Sequence, residues 1–221
     1  MNHRVFISRK SHDCEAIRAF LPSGVELIAV SLIETKAISF DPKIPPTDWI
    51  FFSSSNAARH FFEQKTNLGK QKIGAIGEAT AKTIRQYRPV DFTGDAIDIT
   101  DSAYRFVEAI GEQTVLFPSA ADSLKHVQSA LPRSQVIDLP VYTTTEIEAT
   151  IPTCEVYVFS SPSNVRSFFK SNGGVSSTMK CIAFGEATQQ ELKKFHTKNI
   201  LIPNSLEPHS IARAIIQALQ G

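Results

Sequence analysis

Phe52-Ser53-Ser54-Ser55-Asn56-Ala57-Ala58-Arg59-His60-Phe61-Phe62 lies without a gap over Phe159-Ser160-Ser161-Pro162-Ser163-Asn164-Val165-Arg166-Ser167-Phe168-Phe169. Ala75-Ile76-Gly77-Glu78-Ala79-Thr80 then lies over Ala183-Phe184-Gly185-Glu186-Ala187-Thr188, and Val25 to Thr35 lies loosely over Val136 to Glu146. Self-similarity at this spacing marks two copies of one supersecondary unit. In each copy a short apolar run leads into a small polar cluster and then into a segment with helical period, which is the pattern of βα units and a parallel sheet.

Strand-like runs are Arg4–Ile7, Val25–Val30, Trp49–Phe52, Ile73–Ile76, Val90–Phe92, Thr114–Phe117, Val136–Leu139, Val156–Phe159, Cys181–Phe184 and Ile200–Ile202. The fold class is therefore α/β, with five strands in each copy. Between the strands, Val165, Phe168 and Phe169, and Ile211, Ala214, Ile215 and Ala218, form helical stripes of packing surface. The repeat divides near Gly111. Asp41-Pro42-Lys43-Ile44-Pro45-Pro46 and Tyr142-Thr143-Thr144-Thr145, however, have the composition of linkers. A swapped arrangement reconciles the two. The first two strands of copy one join the last three of copy two, giving a discontinuous domain of residues 1–35 and 148–221, and a second domain of 36–147. The linker segments near 36–47 and 141–147 would run side by side as a two-stranded ladder, with the active site in a cleft between the domains.

The 221 residues are 42% hydrophobic and 20% charged, enough apolar material for a packed core, which excludes disordered, collagen-like and coiled-coil classes. Twenty-three Lys plus Arg against 22 Asp plus Glu give a net charge of +1, without the excess of a protein that tracks a phosphate backbone, so nucleic acid is not expected as a partner. No apolar stretch approaches the ~18 residues of a membrane helix, and the first strand-like run starts almost at Met1. No membrane partner, no signal peptide and a cytoplasmic location are expected. Cys14, Cys154 and Cys181 are scattered, and His3, His12, His60, His126, His196 and His209 lack ligand spacing. Reduced thiols, largely solvent-facing histidines and no metal are expected.

Ligands of open parallel sheets bind beyond the carboxyl ends of the strands, and the repeated clusters sit there. Ser54, Ser55 and Asn56, and Ser161, Ser163 and Asn164, open helices and bring hydroxyls, amides and unpaired N–H groups into one space. Thr80 and Thr188 close the two Gly-Glu-Ala-Thr turns, whose glycines allow a tight turn and close ligand approach. Helix N-termini favour anions, so two sets of carboxylate receptors are expected. Helix capping accounts for any one serine taken singly; the recurrence of both clusters is what points to binding. Glu78 and Glu186 are assigned as first-turn acids favoured by the helix dipole. Arg9, Lys10 and Arg166 are placed to meet anionic groups, with solvated surface charge as the alternative. Tyr142 follows a strand and opens the Thr-rich linker; its phenol is protonated at neutral pH and suits proton or hydrogen-bond donation, or else plugs the domain junction. Dinucleotide, P-loop and nucleophile-elbow signatures are absent.

Together, Phe52–Ala57, Gly77–Thr80, Val141–Thr144, Phe159–Ser163 and Gly185–Leu192 resemble uroporphyrinogen-III synthases in order and spacing, across nearly the whole chain. The resemblance implies two flavodoxin-like domains on a two-stranded linker. It also implies cyclisation of hydroxymethylbilane to uroporphyrinogen III, with ring D inverted, water lost and no cofactor. The family's conserved tyrosine is matched by Tyr142 and its active-site threonine by Thr188. Where the family commonly carries Gly-Pro-Thr-Thr or Gly-Asn-Ala-Thr, this sequence has Gly-Glu-Ala-Thr twice. A monomeric lyase is expected. Its alternative is a two-domain protein that binds a small anion or tetrapyrrole without chemistry, and a flavin-bearing redox module stands third.

Overall fold

Val5 and Ile7 turn to one face of the first strand and Phe6 to the other, and all three are fully buried, so this strand lies inside a sheet covered on both sides. The same alternation recurs in Val156 and Val158 against Tyr157 and Phe159, and in Ile50 and Phe52 against Phe51. A computed structural model describes residues 3–64, 68–173 and 179–220. In chain order its elements are β1 (His3–Ile7), α1 (Glu15–Arg18), β2 (Val25–Ala29), β3 (Ile33–Ala37), β4 (Trp49–Phe52), α2 (Ser55–Phe62), β5 (Lys72–Ile76), α3 (Gly77–Ile84), β6 (Phe92–Gly94) and α4 (Ile99–Ile110). There follow β7 (Val115–Ala120), β8 (Val136–Glu146), β9 (Val156–Phe159), α5 (Pro162–Asn172), β10 (Lys180–Ala183), α6 (Glu186–Lys194), β11 (Asn199–Leu201) and α7 (Pro208–Gln220).

Two compact units result. One comprises Met1–Glu34 with Thr145–Gly221, the other Thr35–Thr144. The first holds a five-stranded sheet in the order β11-β10-β9-β1-β2, parallel throughout. Residues of α1 and α7 (Ile17, Ile211, Ala214, Ile215) pack on one face, and residues of α5 and α6 (Val165, Phe168, Phe169, Leu192) on the other. The second unit holds the order β3-β8-β7-β4-β5-β6, parallel from β8 to β6. There α2 and α3 supply Ala57, Ala58, Phe61, Ala81 and Ile84 to one face, and α4 supplies Ala103, Phe106 and Ile110 to the other. Numbered by position in the repeat, and with the edge strand β3 set aside, both sheets read 2-1-3-4-5, the flavodoxin-like order. In each, the first two strands come from one copy and the last three from the other.

β3 stands outside the strand expectation, because Glu34, Lys36 and Ala37 are exposed and give it no apolar run to register. It pairs with the far half of β8, which carries through the Thr-rich stretch to Glu146 because β-branched threonine suits extended backbone. Ile38 N–H donates to Val141 O at 2.9 Å and Ile147 N–H to Leu32 O at 2.8 Å, a reciprocal register that makes the pair antiparallel. The unit boundaries fall inside these two strands, at Glu34/Thr35 and Thr144/Thr145. The Pro-rich stretch expected as a linker is irregular chain within the second unit, where Phe40 and Ile44 pack on its core. Among the described residues no helix is long and apolar enough to cross a membrane, and no three His, Cys, Asp or Glu side chains group as metal ligands.

Candidate functional site

In both units the sequence-predicted residues lie just past the carboxyl ends of the parallel strands, except Tyr142, which was expected to follow a strand and instead lies within β8, because that strand runs on through the threonines to Glu146.

In the second unit, β4 ends at Phe52 and α2 begins at Ser55, so Ser54 is the N-cap; its Oγ accepts the Ala57 N–H at 3.1 Å. Ser55 Oγ donates to Ala79 O at 3.2 Å, tying the start of α2 to the first turn of α3. Asn56 Oδ1 accepts from Arg59 at 3.4 Å. Gly77 opens α3 at φ +74°, where a Cβ would stand 2.7 Å from Ala96 Cβ, so only glycine turns the chain here. Gly185 holds φ +107° before α6, which gives the recurrence of the Gly-Glu-Ala-Thr turn a backbone cause. Thr80 and Thr188 are buried in equivalent first turns. Glu78 pairs with Arg85 and, like Glu186, sits in a helix's first turn, as expected.

Tyr142 reaches this place through a bulge. The register of β7 and β8 slips between Ser119 and Ala120, so that Ala120 pairs with Tyr142 and Val141 is passed over. Consecutive residues Val141 and Tyr142 therefore both enter the same core cluster, where strict alternation would separate them. Tyr142 is 7% exposed. Its phenol oxygen lies 3.4 Å from Ser54 Oγ. That separation exceeds the ~2.5–3.0 Å of a well-formed O–H···O bond, so the contact is weak and readily exchanged for another acceptor. Burial pushes the phenol pKa above its ordinary value; the Ser54 contact opposes the shift and the Asp122 carboxylate adds to it. Tyr142 thus keeps its proton at neutral pH, which leaves the phenol able to donate a hydrogen bond.

The histidine expectation misses one neighbour. His60, on α2, is half-buried, and its ring is stacked on Tyr142 with centroids 5.2 Å apart and planes at 25°. His60 Nε2 lies 2.8 Å from Thr35 Oγ1, whereas Nδ1 is buried without a hydrogen-bond partner. Burial lowers its pKa, so the ring is neutral at neutral pH. No sequence signal links His60 to Tyr142; the proximity comes from α2 packing beside the end of β8.

In the first unit the serines are more fully committed. Ser8 follows β1 and Ser160 follows β9. Ser160 N–H donates to Ser8 Oγ at 2.8 Å, and Ser160 Oγ donates to Ser8 O at 2.8 Å. Ser161 caps α5, its Oγ accepting Asn164 Nδ2 at 2.8 Å and Asn164 N–H at 3.3 Å. Asn164 is 2% exposed and its Oδ1 accepts Leu32 N–H at 3.0 Å, so this amide is a structural clamp and not an open receptor. Ser163 is partly exposed, with its Oγ accepting from Arg166 at 3.1 Å. Arg166 also lies near Glu146 (3.8 Å) and Glu191 (3.9 Å), which shares its charge among protein carboxylates. Arg9 lies over the Phe184 ring at 4.6 Å; burial lowers its pKa, but a guanidinium stays charged. Lys10 beside it is exposed. The contacts join Ser54 to Tyr142 and Ser55 to the first turn of α3 in one unit, with Asn56 and Thr80 on those same two helices, and Ser161 to Asn164 in the other, with Ser163 on the same helix, Thr188 in the first turn of α6 and Arg9 just after β1.

The family model for uroporphyrinogen-III synthase HemD matches residues 15–213. A uroporphyrinogen-III synthase of Chlorobaculum parvum is 23% identical, over 98% of this chain and 99% of its own. The crystal structure of uroporphyrinogen-III synthetase from Helicobacter pylori superposes with a TM-score of 0.65 at 17% identity, covering 100% of this chain and 99% of that one. A mutant uroporphyrinogen III synthase from Thermus thermophilus gives 0.59 at 15% identity, with 99% of both chains covered. The structural likenesses carry the fold.

Proposed function

The chain belongs to the uroporphyrinogen-III synthase family and is an enzyme of tetrapyrrole biosynthesis, and from that premise we propose a cyclising lyase that converts hydroxymethylbilane to uroporphyrinogen III, with Tyr142 as the proton donor. The substrate is an octacarboxylate. The N-termini of α2 and α3 in one unit, and of α5 and α6 with Arg9 in the other, are suited to its carboxylates, since free N–H groups and helix dipoles bind anions without a large net positive charge. The near-neutral composition is consistent with that mode of binding.

Hydroxymethylbilane cyclises unaided to the wrong isomer, so catalysis is a task of orientation as much as of bond breaking. The hydroxyl on ring A departs as water when it gains a proton, leaving an electrophilic carbon. The substituted carbon of ring D attacks it, and the spiro intermediate fragments and recloses with ring D reversed. The closing carbon finally sheds a proton, which restores the donor. A buried phenol that keeps its proton and has only a weak contact with Ser54 is suited to the first step, and that is the observation carrying the assignment. The test is Tyr142→Phe. The expected result is a kcat for type III formation lowered by about 100-fold or more, within the range for loss of a general acid, with the melting temperature close to the parent's. An unchanged kcat removes Tyr142 from the mechanism.

A further inference from the structure

We infer that His60 is a positioning residue, its ring face holding the Tyr142 phenol in the orientation from which the proton is delivered. The inference rests on the role proposed above for Tyr142. Three observations carry it. The two rings are nearly parallel, 25° apart, with centroids at 5.2 Å, so the imidazole lies against the phenol in an offset stack. The imidazole is itself fixed from the other side, since Nε2 and Thr35 Oγ1 are 2.8 Å apart. The phenol's hydrogen-bond contact, to Ser54 Oγ, is long at 3.4 Å and holds the ring only weakly.

The tautomer follows from the surroundings of the imidazole. A proton on Nε2 has Thr35 Oγ1 as acceptor, whereas a proton on Nδ1 would be buried without one. A bare lone pair at Nδ1 is the less costly orphan, and a neutral ring stacks on a phenol without drawing its proton away. Thr35 on β3, His60 on α2 and Tyr142 on β8 thus form a chain of three elements ending at the donor oxygen. The Ser167 that occupies the His60 position in the second copy has no ring to offer; its hydroxyl donates to Ile147 O at 2.8 Å instead. The stacked pair belongs to one unit alone, where the tyrosine is.

Ring-face positioning separates two conservative variants. His60→Phe keeps an aromatic face against Tyr142 and gives up the Thr35 contact; His60→Gln keeps an amide able to reach Thr35 and gives up the face. In the full chain, with the rate of type III formation as readout, His60→Phe is expected to retain kcat within about two-fold. His60→Gln and His60→Ala are expected to lose on the order of ten- to a hundred-fold in kcat with KM nearly constant, the cost of a donor misplaced by a fraction of an ångström. In a Tyr142→Phe background, His60→Ala should add no further loss. If Gln retains kcat as well as Phe does, if Phe loses as much as Gln, or if the Ala effect is additive with Tyr142→Phe, the inference is overturned. Should His60→Ala not fold, the Phe and Gln pair still decides the matter. A Tyr142→Phe variant with parental kcat overturns the donor assignment and this inference with it. A slow Tyr142→Phe beside a fully active His60→Ala overturns this inference alone.

Discussion

Asn164 and Leu32, far apart in sequence and both buried, are joined by a hydrogen bond of 3.0 Å from the Leu32 N–H to Asn164 Oδ1. The bond fixes the chain just ahead of β3 to the first turn of α5, and Asn164 Nδ2 in turn donates to the Ser161 cap at 2.8 Å. An amide chosen from the sequence as a substrate contact is thereby spent on the fold. Asn164→Ala leaves the Leu32 N–H buried without an acceptor, a loss of about 1–3 kcal/mol. Equilibrium urea unfolding should show the lowered midpoint, with KM for the substrate unchanged. A large rise in KM at parental stability would return Asn164 to the binding set.

Gly77 and Gly111 both hold positive φ, but their surroundings differ. An added Cβ at Gly77 meets Ala96 Cβ at 2.7 Å, whereas at Gly111 it meets nothing within 4 Å. Gly77→Ala therefore suffers a clash in addition to backbone strain, and should lose more than ~1 kcal/mol beyond what Gly111→Ala loses. Thermal melts of the two variants side by side check this; equal shifts would mean that the turn after β5 yields freely.

Burial pushes the Cys181 thiol up to about 12 and the Cys154 thiol up to about 11 from an ordinary 9.0, and it raises Cys14 and Tyr142 as well. In the folded chain these groups keep protons that the unfolded chain gives up above about pH 9, so the folded state binds more protons there and stability falls as pH rises. The urea midpoint should hold steady from pH 7 to about 8.5 and decline beyond it. All three thiols should resist iodoacetamide at pH 8 in native buffer and react fully in denaturant. Rapid native labelling of Cys154 or Cys181 would contradict their burial.

The fold was largely legible because the sheets are parallel and buried. Runs such as Trp49–Phe52 and Val156–Phe159 are apolar on both faces and stand out from the helical stripes beside them. Recurrence of the Ser-rich and Gly-Glu-Ala-Thr clusters located the carboxyl ends of the strands in both units. The two-stranded ladder was expected, but β3 begins ahead of the 36–47 segment assigned to it, because it is an edge strand whose exposed residues give no apolar run to mark its start. At the site, positions were legible and environments were not. Asn164 and Ser160 have the residue types of ligand receptors, yet their hydrogen bonds are satisfied within the unit. His60 has no spacing that would single it out, and only the packing of α2 beside the bulge at Val141 brings it onto Tyr142.

The isomer ratio decides whether the chain is a uroporphyrinogen-III synthase in activity. Hydroxymethylbilane is supplied to the purified chain, the porphyrinogens formed are oxidised, and types I and III are separated and quantified against an enzyme-free control. Type III is expected to dominate, with a yield that rises with protein concentration. Type I alone, formed at the uncatalysed rate, would contradict that activity and leave a protein that binds a tetrapyrrole without turning it over.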